Sequence, residues 1–277
     1  MTNKTGLLSP WQRLLEHPPV GGHFVQFYKA DESSLAKNVC HYILEGLRQG
    51  DGALLIATRA HRDLFSEFLA QSDADLNGLL ARRQLVFLDA QEKLYSFMTG
   101  GLPDWIPFER AIGTAVREVS PATRSGTLRT YGEMVGLLWN NSQFDAAIRL
   151  EQFWNRLLAR SSFSLYCSYA IDLFGEENLD VLNVDGALCT HTHMVPAEPD
   201  GFLEAALNLA LEETTVADRL RGLLKSHRNS ALPVMPAAEA MVLALRRHFP
   251  EYAGQIILRT QHHYARTLAE IKLRGAA

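Results

Sequence analysis

Glu133 lies in the stretch "LRTYGEMVGLLW" (128–139), where an extended run meets a glycine, an acid and then a helical pattern. In a parallel α/β sheet this places the carboxylate at the carboxyl end of a strand, the edge at which such sheets bind ligands. Other polar and aromatic groups close strands in the same way: Tyr28 ends "HFVQFY", Thr58 ends "GALLIAT", Asp89 stands in "QLVFLDA", and Tyr169 stands in "SFSLYCSYAI". Tyr131 and Arg129 share the strand of Glu133, and Trp139 and Trp154 follow on the flanking helices. Aromatics with a few hydroxyls and carboxylates describe a binding pocket better than a hydrolytic one. In this reading Glu133 accepts a hydrogen bond from the bound group. Arg129 sets the local charge, with Glu151 on the next helix as its partner. The competing reading is structural: Trp139 and Trp154 as core residues, and Glu133 as a tie between its strand end and a neighbouring helix N-terminus.

Other chemistries fit less well. A phosphate loop needs glycines for close backbone approach, a lysine for the β/γ charge and a hydroxyl for Mg²⁺. The first strand-to-helix turn instead reads "FYKADESSLAKNV", with no glycine between Tyr28 and Gly46 and no GK[ST]. Asp31 and Glu32 would repel a triphosphate and read as capping acids on the helix dipole. Gly100 and Gly101 in "FMTGGLPDW" precede no lysine, and the chain holds no GxSxG, HExxH or CxxC. "CTHTH" would put Cys189, His191 and His193 on one face if extended, as candidate metal ligands. Otherwise it is an edge strand whose histidines bond backbone. His262 and His263 are neighbours on a helix and point apart.

The elements that must position these groups alternate. Strand patterns at 23–28, 52–58, 84–90, 126–134 and 162–171 are separated by helical ones, at 31–50, 59–72, 105–120 and 145–159. Strands this continuously apolar predict a mostly parallel α/β sheet in three layers, with helices on both faces. A polar leader over 1–21 ends at "HPPVGG". After "MVPAEPDGF" the pattern is helical only, predicting a small C-terminal all-helical segment over 200–277 in three helices.

At 277 residues with 47% apolar and 21% charged content, the chain has the composition of a soluble globular protein. It has neither a bilayer-length apolar run nor a signal-peptide pattern, and its three cysteines are widely spaced, so a cytoplasmic protein without membrane contact is expected. The net charge of −4 divides unevenly: from Thr214 onward ten Lys/Arg face four Asp/Glu, a net of +6 against −10 for the rest. The basic end marks a separate segment for an acidic partner, or simply Arg-rich solvated faces.

"HFVQFY", "ILEGLRQGDGALLIAT", "LDAQEKLYSFMTGG", "RTYGEMVGLLW", "AAIRLEQFWNRL" and "YCSYAIDLF" resemble, in order, the MEDS domain, a sensory domain of methylotroph and methanogen regulators. The likeness runs over 22–199. It implies a degenerate relative of the RecA/KaiC-like ATPase fold that has lost its phosphate loop, used for sensing in prokaryotic regulation. The chain departs from the family's common arrangements in showing no N-terminal helix–turn–helix and no kinase core.

The expected function is non-catalytic signal transduction: a small organic ligand or protein partner is bound, no cofactor is used, and the C-terminal helices, in a monomer or a homo-oligomer, carry the output. The alternative is a transcriptional regulator binding nucleic acid through Arg246, Arg247, Arg259 and Arg266. A third reading, a residual hydrolase using Glu133 and Asp89 with Mg²⁺, lacks the loop and lysine.

Overall fold

The computed structural model describes residues 9–29, 32–119, 127–175, 179–197, 201–226 and 232–275. The chain begins with α1 (Pro10–Glu16), β1 (His23–Phe27), α2 (Ser33–Gln49), β2 (Gly52–Ala57), α3 (Arg59–Ala70), α4 (Leu76–Ala81) and β3 (Leu85–Asp89). Then come α5 (Ala90–Phe97), a hairpin of β4 (Met98–Thr99) and β5 (Leu102–Pro103), α6 (Trp105–Phe108), a π-helical turn (Glu109–Gly113) and α7 (Thr114–Val119). The second half holds β6 (Leu128–Gly132), α8 (Met134–Asn140), α9 (Phe144–Leu158), β7 (Phe163–Tyr169), α10 (Val181–Leu188) and β8 (His193–Val195). It ends with α11 (Phe202–Glu212), α12 (Ala217–Ser226), α13 (Ala237–His248) and α14 (Pro250–Gly275).

Six strands form one all-parallel sheet in the order β3-β2-β6-β7-β1-β8. Alternation along each strand divides the core into two faces. Phe24, Leu55, Tyr131 and Tyr166 pack under α1–α4, while Val25, Leu54, Ile56 and Leu165 pack under α5–α14. The α2 helix forms as its period predicts. Leu35, Val39, Tyr42, Ile43 and Leu47 face the sheet, and Gly50 ends it in the left-handed conformation at φ 87°.

Two boundaries differ from expectation. The leader contains α1, capped reciprocally by Ser9 and Gln12, with Leu15 buried on the sheet domain. The single helix expected over 202–226 is two, broken between Glu212 and Ala217. The C-terminal helices form as expected and pack on the sheet: Leu203, Leu207, Leu211, Val242, Leu245 and Ile256 belong to the same apolar cluster as Val25 and Leu165. The chain also returns to the sheet edge at Val234, which bridges His193 in parallel.

Candidate functional site

All strands being parallel, their carboxyl ends meet at one rim, and Tyr28, Thr58 and Glu133 close β1, β2 and β6 there. Glu133 is nonetheless spent within the protein. It is only 6% exposed, its Oε2 accepts the Thr58 amide at 2.9 Å, and the same oxygen lies 3.0 Å from His61 Nδ1. His61 Nε2 reaches the Glu32 carboxylate at 3.2 Å, and the Tyr28 ring stands edge-on to the imidazole. His61 is placed by the first turn of α3, where Thr58 is the N-cap whose hydroxyl accepts the His61 amide. Burial works against the imidazolium, but Glu133 and Glu32 outweigh it and hold the His61 pKa above its ordinary value. Burial, reinforced by the same two carboxylates, drives the Tyr28 phenol far up. Glu32 thus serves His61 rather than capping α2 with its side chain, and Asp31 lies outside the described residues.

The remaining candidates do not join this pairing, although Asp89 and Tyr169 also end strands at the rim. Asp89 caps α5 and pairs with Arg62 at 2.9 Å. Tyr131 is wholly buried under α2 and α3, its hydroxyl 2.7 Å from Ser168 Oγ. Arg129 is at the opposite, amino end of the sheet, because it is the second residue of β6. There it donates to Asp51 Oδ2 at 3.0 Å and to the carbonyls of Leu15, Tyr42 and Glu16. It does not meet Glu151, which is on the other face of the sheet. Trp154 is fully buried core, and half-buried Trp139 packs edge-on to Tyr169 and Phe144.

Glu151 lies in a second polar cluster, wholly enclosed. His23 Nε2 is 3.2 Å from Glu151 Oε2 and 3.4 Å from Cys167 Sγ. His191 Nε2 is 3.2 Å from Glu151 Oε1, to which the Tyr169 hydroxyl also donates at 2.5 Å. Burial depresses the His191 pKa and, with Glu151 beside it, raises that of the Cys167 thiol well above its ordinary value. The extended "CTHTH" face does not form. Cys189 is the exposed C-cap of α10, His191 turns inward, and His193 starts β8. Sequence reasoning missed His61, His23 and Cys167 as site residues. The available signal was polar residues inside otherwise apolar elements: His23 at the head of "HFVQF" and Cys167 within "FSLYCSY".

The four arginines proposed for nucleic acid have partners within the chain. Arg246 Nε donates to the Leu173 carbonyl at 3.0 Å, and Arg247 pairs with both carboxylate oxygens of Asp185. Arg259 meets Glu213 at 3.1 Å, and Arg266 approaches Glu270 at 4.0 Å. Close by, a cleft of about 570 Å³ lies between Phe174, Gly175, Leu179 and Val181 on one side and α13 and α14 on the other. Its walls include Phe174, Leu179, Val181, Ile257 and Leu258, with Arg246 and Gln261 as polar groups.

A family model described as MEthanogen/methylotroph, DcmR Sensory domain (MEDS) matches residues 22–192. The match covers more than half of the chain, which therefore belongs to the MEDS family of sensory domains. A search of curated proteins finds no match. Among the described residues, no helix is long and apolar enough to cross a membrane.

Proposed function

We propose that this chain is a non-catalytic signal-transduction protein whose ATPase-like sheet has lost its phosphate loop and whose ligand is a small organic molecule. One observation carries this reading: the cleft is walled on one side by Phe174, Gly175, Leu179 and Val181, within the residues the family model matches, and on the other by α13 and α14. Its volume suits a small ligand, and its lining mixes apolar side chains with polar surface in nearly equal measure, with Arg246 and Gln261 as the polar side chains. Gln261 donates to the Phe174 carbonyl at 2.7 Å and Arg246 to that of Leu173, so a guest in the cleft presses on the bonds that seat the helices. The rim at Glu133 serves as support, since its carboxylates already answer His61 and the Thr58 amide.

Native mass spectrometry of protein purified from its own host tests the reading. Wild type retains a small organic species, and Ile257→Trp, which fills the cleft, loses it while remaining folded. Retention unaffected by Ile257→Trp, or no retained species at all, overturns the cleft assignment. Separately, incubation with ATP and Mg²⁺ releases no phosphate above the buffer blank. Release that Glu133→Gln abolishes would restore the hydrolase reading.

A further inference from the structure

We infer that His23, Cys167, Glu151 and His191 form a closed tetrahedral site for a divalent metal of the zinc class. The four ligand atoms lie within 4.8 Å of one another, and all four residues are buried. They come from four separate parts of the chain: the first residue of β1, the middle of β7, the inner face of α9, and the turn before β8.

The hydrogen bonds around the two histidines fix which nitrogen faces inward. His23 Nδ1 is within 2.9 Å of Asn155 Oδ1 and 3.1 Å of the Thr190 carbonyl. Asn155 is oriented for this role, because its Nδ2 donates to that same carbonyl at 2.7 Å. His191 Nδ1 is 2.8 Å from the Ala187 carbonyl. Carbonyl oxygens only accept, so each Nδ1 carries the proton and each Nε2 turns a lone pair toward the carboxylate and thiol. This is the arrangement that orients metal-binding histidines through their outer nitrogen. Without a cation the geometry is poor: lone pairs of two imidazoles face a buried carboxylate, and His191 Nε2 has no well-directed hydrogen-bond partner.

The spacing fits. Zn–N and Zn–O bonds of about 2.0–2.1 Å and a Zn–S bond of about 2.3 Å give tetrahedral edges of roughly 3.3–3.6 Å. His23 Nε2, Cys167 Sγ and Glu151 Oε2 are separated by 3.2, 3.4 and 3.6 Å, and His191 Nε2 lies 3.2 Å from the other carboxylate oxygen, Oε1. Two imidazoles, one thiolate and one carboxylate make a borderline donor set suited to zinc. Since the protein supplies all four ligands, no position is left for water, and the metal acts as a cross-link joining the two ends of the sensory domain. Binding releases the Cys167 thiol proton to solvent.

The test uses the full untagged chain. Elemental analysis after expression with supplementary zinc should find about one zinc per chain. Protein unfolded in guanidinium and refolded with Co²⁺ should show a thiolate-to-cobalt charge-transfer band and tetrahedral ligand-field absorption. Cys167→Ser should abolish the charge-transfer band, and Cys189→Ser should leave it intact. If Cys167→Ser does not fold, X-ray absorption at the zinc edge of wild type decides, with one sulfur and three lighter ligands expected. The site is overturned by metal-free protein under both conditions, by a band that survives Cys167→Ser, or by a shell with no sulfur or several.

Discussion

Removing the Glu133 carboxylate leaves the Thr58 amide and the His61 imidazole without their acceptor in a buried setting. Glu133→Ala is therefore expected to cost about 2 kcal/mol in a urea melt, and Glu133→Gln, which keeps an amide acceptor, distinctly less. A loss near zero for the alanine variant would mean that the carboxylate faces an open cleft. His61 adds a pH signature. Its folded pKa is raised, so its stabilising effect is complete below the unfolded value of about 6.5 and is lost as pH climbs through the folded pKa. The melting midpoint of wild type should fall over that window relative to His61→Gln; parallel profiles would contradict the Glu32–His61–Glu133 pairing. At this scale the rim is partly legible from sequence. Strand ends alone bring Tyr28, Thr58 and Glu133 together, because parallel strands share a direction. Which way a side chain is spent is not legible. Arg129 and Tyr131 differ from Glu133 by position along the strand and by face, and only the sheet register with its covering helices reveals that.

Helix α8 lies close upon β7, and Gly136 is the reason it can. A Cβ at Gly136 would come within 2.7 Å of the Ser168 carbonyl oxygen, a backbone atom that cannot swing aside. Gly136→Ala should force the helix off the strand and cost about 1–3 kcal/mol in the same melt, whereas helix propensity alone predicts a gain. An increase in stability would show that α8 has room to move. Periodicity finds the elements with the strongest patterns, such as α2 and the doubly buried strands. It misses the break between α11 and α12, because the apolar spacing continues across "ETTV" and tertiary packing decides where the chain turns. The π-helical turn at Glu109–Gly113 is missed too: in "WIPFERAIGTAV" the apolar spacing predicts one continuous helix, although Pro107 precedes the turn and Gly113 ends it.

For the molecule as a whole, the charge split reads differently once the fold is known. The basic end is partly answered by acids from the rest of the chain: Arg247 by Asp185 of α10, and Arg259 by Glu213 beside α11. Together with the shared apolar cluster, this predicts that the last helices unfold with the sheet as one cooperative unit. Calorimetry of the full chain should give a single transition. A chain ended after residue 199 should lose its sharp melt and expose dye-binding apolar surface, because the face formed by Val25, Leu165 and Met194 would be stripped of α11 and α13. Two resolved transitions in the full chain would instead mark an independent helical domain, as composition alone implies.

The bridge at Val234 makes the seating of those helices observable one amide at a time. The Met194 amide bonds the Val234 carbonyl at 2.7 Å, and the Val234 amide bonds the Thr192 carbonyl at 3.0 Å. Both protons are shielded from deuterium only while the segment leading into α13 lies along β8. Their exchange rates are a clock for detachment of that segment, read at two amides next to His191.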